Sequence, residues 1–467
     1  MSDSNAPTIA PPSKLSLIKL ALPTIIGNIS LSFVALIAIG FVDELGENAQ
    51  AAVIAADRIY FAIQAIIIGI TVGTTAMVAN AFGAKDYVEA DSAIKLSLML
   101  AIGLSIVIAI IVEFAAPWLI AIIKMENNTH DLATAYLKIL VYFNVCFAYV
   151  AITSAALRAA GDAITPVVIG IAGNLLAVFF TYGLLFGKFG LPQLGLMGAA
   201  YAVGLSMLFV GVVIHILWFS KRLLLQPQRQ SFLSKARFRH LLNLSLPSIF
   251  EQLIFNSALL GFVIVISLYS EAAYTAYGIG INILSLSIFI GFGFALATGT
   301  IVGQYLGANQ PEEAVKATWH SLRWAMGLMV CIAIALCFGA RRVGSLIISD
   351  PETLNYLVAL VFVMATVQPL MAIEYALSGA LRGAGDTKTT ASITSAGFFL
   401  GRVLLTAIFY FSGLSVYWIY AALIGDYVVK AGLYILAFNR GGWKTAFADS
   451  KRRAQGATVV VAPEPAN

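Results

Sequence analysis

Charged residues are what this sequence has least of. Asp, Glu, Lys and Arg make up 11% of its 467 residues, whereas a soluble globular domain carries about 25%. That shortfall, with a mean hydropathy of +0.90, excludes a soluble globular protein and points to an integral membrane protein. Cysteine and histidine are nearly as scarce, at 3 and 4 residues. Cys146, Cys331 and Cys337 all fall in apolar segments without metal-ligand spacing and read as packed core residues. His, Cys and Ser nowhere take up a catalytic spacing, so neither an enzyme nor a cofactor is expected. The glycine run GFGFALATG, Gly291 to Gly299, lacks the strand-turn-helix setting of a nucleotide fingerprint and reads as close helix packing. No cleavable signal peptide is expected, because the first apolar run is long enough to span and lacks a small-residue cleavage site.

Uninterrupted apolar length is what the chain has in abundance. Leu20 to Val42, Ile59 to Ala84, Ala163 to Gly187, Ala272 to Pro311 and Thr353 to Ile373 carry no charge, and each reaches the roughly 20 residues that a spanning helix needs. Shorter or once-interrupted runs near 96–116, 135–157, 194–219, 241–268, 322–340, 390–412 and 416–438 bring the expected total to 12 helices. The fold class is therefore an all-α polytopic membrane protein. Lys and Arg resist translocation and collect on the cytoplasmic side. With both termini inside, 20 of them lie inside, among them Lys14, Arg158, Arg229, Arg237 and Arg382, and only Lys124, Lys188, Arg341 and Arg342 outside. The expected location is thus the inner (plasma) membrane, multi-pass, with cytoplasmic termini. The net charge of +5 is explained by basic loops facing an anionic leaflet and requires no nucleic acid partner. The expected partners are the bilayer, a small-molecule substrate and a proton or sodium ion, with the chain acting as a monomer.

The sequence also repeats itself. AALRAAGD, Ala155 to Asp162, returns 224 residues later as GALRGAGD, Gly379 to Asp386. The same shift carries LALPTI, Leu20 to Ile25, onto LSLPSI, Leu244 to Ile249, and AFGAKDYVEA, Ala81 to Ala90, onto YLGANQPEEA, Tyr305 to Ala314. The chain is read as two six-helix repeats. Because six is even they run parallel, related by an axis along the membrane normal, forming two lobes about a central cleft suited to alternating access. The expected divisions are a disordered tail at 1–13, an N-terminal lobe at 14–220, a polar linker at 221–240, a C-terminal lobe at 241–445 and a second disordered tail at 446–467. Within the repeated phrase, Gly161 and Gly385 are expected to make tight turns and Asp162 and Asp386 to cap the helices that follow, with Arg158 and Arg382 anchoring the inside face.

LALP, the Gly-Ala turn after the second helix, ALRGAGDTKT after the tenth, and FGKFGLPQLGLMGAAYA, Phe186 to Ala202, together resemble the multidrug and toxic compound extrusion (MATE) family, and the last segment its NorM-like members. The resemblance covers about residues 15–445 and implies a two-lobe exporter of 12 helices that exchanges entering sodium ions or protons for departing organic solutes. The sequence departs from the family pattern at its usual ion-binding positions. Ala38 stands at the first-helix aspartate position, with Asp43 matching only under a shifted register; Met371 and Thr181 stand where NorM-like members carry acidic or amide side chains.

Ionisable groups inside a bilayer are costly and are functional candidates by default. Glu251 lies ten residues past Leu241 and Glu374 eight before Arg382, so about 15 and 12 Å into their helices. These two, with Asp426, are the expected ion-coupling residues. Asp426 and Lys430 are four apart and expected to satisfy each other, leaving Arg402 as charge partner for Glu251 or Glu374 and one carboxylate unpaired. Glu251, Gln252, Asn256 and Asn282 are the oxygen set considered for sodium. Substrate contacts are expected from Asn174, Thr181, Tyr182, Asn256, Asn282 and Phe289. Glu113 and Lys138 are expected to pair across a helix hairpin, and His215 to be a satisfied interfacial side chain.

These readings point to an ion-coupled exporter of small organic, cationic or amphipathic compounds. The alternatives are a flippase for a lipid-linked intermediate and an exporter of a neutral or anionic metabolite such as a siderophore.

Overall fold

A computed structural model describes residues 16–123, 125–228, 230 and 232–455. The tail at 1–13, Lys14, Lys124, Arg229 and residues 456–467 lie outside the described residues.

Twelve spans account for the described chain when one bent pair is counted as a single crossing. In the first repeat they are α1 (Leu17–Asp43), α2 (Glu47–Gly83), α3 (Tyr87–Ala121), the pair α4 (Asn127–Tyr142) and α5 (Asn144–Ala160), α6 (Ile164–Phe186) and α7 (Leu196–Phe219). In the second they are α8 (Lys235–Ser267), α9 (Glu271–Gly307), α10 (Pro311–Ile347), α11 (Pro351–Gly383), a composite of α12 (Thr387–Ala396), a π-helical segment (Gly397–Leu404) and α13 (Leu405–Phe411), and α14 (Val416–Arg440). A last helix, α15 (Trp443–Ala454), follows.

The helix boundaries follow from the turn chemistry. Gly161 and Gly385 take φ of 104° and 77°, and the carboxylates of Asp162 and Asp386 accept from the amides of Thr165 and Thr389 at 2.9 and 3.3 Å. The repeated phrase is thus a turn and cap in both copies. Two crossings depart from regular helices. The pair α4 and α5 is bent by 45°. At the break Asn144 is fully buried, its amide donates to Ser105 Oγ at 3.1 Å, and its carbonyl accepts from the same hydroxyl at 3.5 Å. A carbonyl drawn out of the helical ladder by a neighbouring hydroxyl is a recognised cause of a bend. In the π-helical segment, Gly397 and Gly401 face α14 so closely that a Cβ at either would overlap Lys430 or the backbone at Asp426.

The duplication is also visible where the lobes meet. Asn80 on α2 donates to the carbonyl of Gly383 at 3.2 Å, and Gln304 on α9 donates to the carbonyl of Ala159 at 2.7 Å. The shift of 224 residues carries Asn80 onto Gln304 and Ala159 onto Gly383, so these are one contact made twice. Beside them Gly83 lies on the backbone of Gln304 and Gly307 on the backbone of Asn80, with no room for a Cβ at either.

The linker is held down on the same face. Asp91 accepts from the amide of Gln228 at 3.0 Å and pairs with Lys95 at 2.7 Å, while Lys95 also bonds the Gln228 carbonyl. Arg237 grips Glu89 through two bonds of 3.0 and 2.6 Å. The boundary expected at 446 is corrected: the chain there is helical through Ala454. Trp443 is buried and stacked on Phe438 at 4.9 Å, and Phe447 packs on His240 at 4.8 Å. These two aromatic anchors give α15 an apolar face to bury, which the polar composition of the segment conceals.

Candidate functional site: a charged chain inside the second lobe

The second repeat encloses three acids and three bases joined in two groups. Glu251 on α8 accepts at Oε1 from Arg382 of α11 at 2.6 Å and from the Thr394 hydroxyl of α12 at 2.8 Å; Thr394 in turn meets the Tyr434 hydroxyl of α14 at 3.1 Å. Asp426 on α14 is fully buried and sits between two cations, with Arg402 Nη2 at 2.7 Å from Oδ2 and Lys430 Nζ at 3.1 Å from Oδ1. Lys430 reaches on to Glu374 Oε1 of α11 at 3.6 Å. The Phe398 ring is close to both cations, 5.0 Å from the Arg402 guanidinium and 3.8 Å from Lys430 Nζ, an arrangement that favours their positive charge.

Three of the expected pairings are corrected here. Arg402 serves neither Glu251 nor Glu374 but Asp426; Asp426 is not satisfied by Lys430 alone; and no carboxylate of the set is left without a cation. The reason lies in the π-helical segment. Its wider turn and its two glycines seat Gly401 against α14, so the next side chain, Arg402, enters the lobe within reach of Asp426, with its guanidinium 5.5 Å from the Phe262 ring of α8. Arg382, expected as an inside-face anchor, instead turns into the lobe and becomes the partner of Glu251. Arg382, Thr394, Tyr434 and Phe398 are the members of the chain that sequence reading did not assign. A signal existed for Arg382 alone: a basic residue eight positions from an intramembrane acid lies on an adjoining part of the same helix.

The charges are not uniformly compensated. Glu374 Oε2, like both oxygens of Asp426, is buried without a hydrogen-bond partner, but the Glu374 cation stands at 3.6 Å, against 2.6 Å for Glu251 and 2.7 Å for Asp426. Glu374 is the least tightly held acid of the three.

The remaining expected residues are dispersed. Asn256 and Asn282 donate to carbonyls on their own helices, Gln252 at 3.0 Å and Gly278 at 2.9 Å. Gln252 is half-buried and Asn282 exposed. In both asparagines it is the amide nitrogen that is used, and Glu251 itself is held by Arg382 and Thr394. Asn174, Thr181 and Tyr182 all lie on α6 of the other lobe. Asn174 donates to Ser30 Oγ at 3.2 Å, Thr181 is buried, and Tyr182 packs on Phe41 and Phe186 at 5.4 and 5.2 Å. Phe289 is half-buried on α9. Glu113 pairs with Lys138 at 2.9 Å, as expected, and His215 Nδ1 meets the Tyr149 hydroxyl at 2.8 Å.

The first lobe lacks the charged chain. At the positions 224 residues before Glu251 and Glu374 stand Gly27 and Val150. Arg158, the counterpart of Arg382, is half-buried, and its Nε is buried with no hydrogen-bond partner. Duplication supplied the scaffold twice, and the acids are present in one copy.

A duplicated bundle of twelve spans with a buried ionic chain in one half is the architecture of a secondary transporter. The MatE family model matches residues 23–183 and 247–408, once in each repeat, and the chain belongs to that family, the MATE multidrug efflux transporters. Among curated relatives, a protein called probable multidrug resistance protein NorM from Thermotoga maritima is 28% identical over 440 residues, covering 93% of this chain and 94% of its own. A solved MATE structure in complex with MaD3S shares the fold with a TM-score of 0.86 at 22% identity, covering 94% of this chain and 98% of that one. The outward-facing conformation of a multidrug resistance MATE transporter of the MOP superfamily matches with a TM-score of 0.85 at 22% identity, over 95% and 98% of the two chains.

Proposed function

We propose that this protein is an antiporter that exports small organic compounds by alternating access, driven by protons entering through the second lobe, with both termini cytoplasmic. The observation that carries the reading is the balanced chain of Glu251, Glu374, Asp426, Arg382, Arg402 and Lys430 inside the bilayer. With all six ionised the chain is neutral. A proton taken by one acid leaves an uncompensated positive charge in a low-dielectric interior, where removing one partner of a buried pair costs about 3–5 kcal/mol. Such a penalty is relieved by repacking α8, α11 and α14, which share the ion pairs. Glu374 is assigned the coupling proton because its charge is the least compensated, with Glu251 and Asp426 transmitting the change. Protons are favoured over sodium because each acid of the chain already faces a side-chain cation, Arg382 for Glu251, Arg402 and Lys430 for Asp426 and Lys430 for Glu374, and a bound sodium ion would add a further positive charge beside them.

The contacts at Asn80 and Gln304 fit a shut cytoplasmic side. The substrate class is drawn from the multidrug relatives, with a cleft suited to cationic or amphipathic compounds. A neutral or anionic metabolite is the second reading, favoured by Ala38, Thr181 and Met371 at positions where the resemblance expects acids or amides.

Transport in proteoliposomes with imposed proton or sodium gradients tests the proposal, comparing the wild type with Glu374→Gln and Glu251→Gln. The expected outcome is proton-driven exchange that Glu374→Gln abolishes and Glu251→Gln strongly reduces. Normal coupling in both variants, or a sodium gradient as the sole effective drive, overturns the assignment.

A further inference from the structure

A polar pocket of about 280 Å³ lies where α8 begins and α11 and α14 end, between α8, the turn from α11 into α12, and α15. Asn243 of α8, Asp386 and Lys388 of the turn and α12, and Asp449, Ser450 and Arg453 of α15 line it. Its two acids and two bases balance in charge, yet among the described residues no ion pair involves any of the four. Each acid has one oxygen engaged and one open. Asp386 Oδ1 accepts from the Thr389 amide at 3.3 Å, and Asp449 Oδ2 from the Thr445 hydroxyl at 3.1 Å. Asp386 Oδ2 and Asp449 Oδ1 have no partner among the described residues and keep accessible surface on half-buried side chains. Lys388 and Arg453 are exposed. Charges of both signs that share one cavity without meeting each other suit a ligand that carries both. The cationic side belongs to the second repeat alone, since the shift of 224 residues carries Lys388 onto Ile164.

We propose that this pocket binds a phosphoethanolamine group, with its phosphate against Lys388 and Arg453 and its ammonium against the open oxygens of Asp386 and Asp449. Arg presents a donor fork that matches phosphate, and Lys a compact charge beside it. The acids want N–H donors, which a primary ammonium has and a trimethylammonium lacks. No aromatic ring lines the pocket, whereas quaternary ammonium groups are recognised by aromatic cages. The volume is just under the roughly 300–1,000 Å³ of ligand pockets, which suits a headgroup better than a nucleotide. The pocket lies where spans leave the apolar layer, the depth of phospholipid headgroups. The same chemistry occurs in a membrane phospholipid and in a soluble glycerophosphate ester.

Native mass spectrometry of the full chain, released from micelles holding equal amounts of phosphatidylethanolamine, phosphatidylcholine and phosphatidylglycerol of matched acyl chains, tests this without any ion gradient and so independently of the coupling reading. The ethanolamine lipid is expected to be retained about tenfold or more over the other two, as for loss of a charge-assisted hydrogen bond. Asp449→Asn, whose one protein bond is to Thr445 on the same helix, is expected to erase the preference over phosphatidylglycerol. Arg453→Gln is expected to weaken retention of the ethanolamine and glycerol lipids alike, and Ala446→Leu, which adds bulk to the lining, to remove the preference altogether. Displacement of the lipid by soluble glycerophosphoethanolamine, and not by glycerophosphocholine, marks a free ester as sufficient; retention of the lipid against both marks the membrane as the source. Equal retention of the three lipids by the wild type with no displacement by either ester, or a preference that Asp449→Asn, Arg453→Gln and Ala446→Leu all leave unchanged, overturns the proposal.

Discussion

Asp426 and Glu374 occupy the same buried chain but differ in what their loss exposes. Asp426 neutralises both Arg402 at 2.7 Å and Lys430 at 3.1 Å. Asp426→Asn therefore strands Arg402 and leaves Lys430 only Glu374 at 3.6 Å, and thermal unfolding in detergent should show a loss of about 3–5 kcal/mol, the usual cost of breaking a buried pair. Glu374→Gln removes a charge held by one cation at 3.6 Å and leaves Lys430 its bond to Asp426. Its melting temperature should fall by less than that of Asp426→Asn, while coupling is lost. Equal destabilisation by the two variants would show that Glu374 is a structural member of the chain rather than its titrating one. Residue type and depth pointed to Glu251, Glu374, Asp426 and Arg402 as the set, but not to their pairing. A periodicity of 3.6 places a side chain on a face only while the helix stays regular, and Arg402 follows a π-helical turn.

That turn depends on its glycines. At Gly401 an added Cβ would meet the backbone of Asp426, which cannot move aside as a side-chain end can. Gly401→Ala should push the composite helix off α14 and cost about 1–3 kcal/mol, as other overpacked contacts do. Gly413 has φ 69° and open space within 4 Å of where a Cβ would stand, so a substitution there strains only the backbone and makes a useful comparison. If Gly401→Ala and Gly413→Ala unfold at the same denaturant concentration, the close packing is not what holds the segment in place. The spans themselves were legible because each needs only an apolar run of sufficient length. The bend at Asn144 and the helix beyond Trp443 were not, since one rests on a hydroxyl from α3 and the other on Phe438 and His240, all remote in sequence or on another helix.

Across the whole molecule the two lobes touch through a contact made twice. Removing either amide, in Asn80→Ala or Gln304→Ala, should cost the closed arrangement about 1 kcal/mol, the net worth of a hydrogen bond. The double variant should therefore shift population toward an arrangement open on this face. Spin labels at Ala84 and Gln310, exposed positions beside the seal on opposite lobes, report it: a single short distance in the wild type, and a longer second population in the double variant. An unchanged distance distribution would remove the seal from the gating account.

The sequence determined the membrane class, the number of crossings, the duplication and the turns that repeat with it, because each is written in properties that run along the chain: apolar length, a constant offset, and Gly and Asp at turn positions. It also located the acids, since an ionisable residue in an apolar run is conspicuous wherever the helix goes. The tertiary structure alone decided which cation each acid meets, that Arg382 belongs inside the lobe, and that Asn80 and Gln304 reach across to the other repeat. Those outcomes depend on the azimuth of side chains about packed helices, which a glycine contact or one wide turn resets by an amount that no local pattern records.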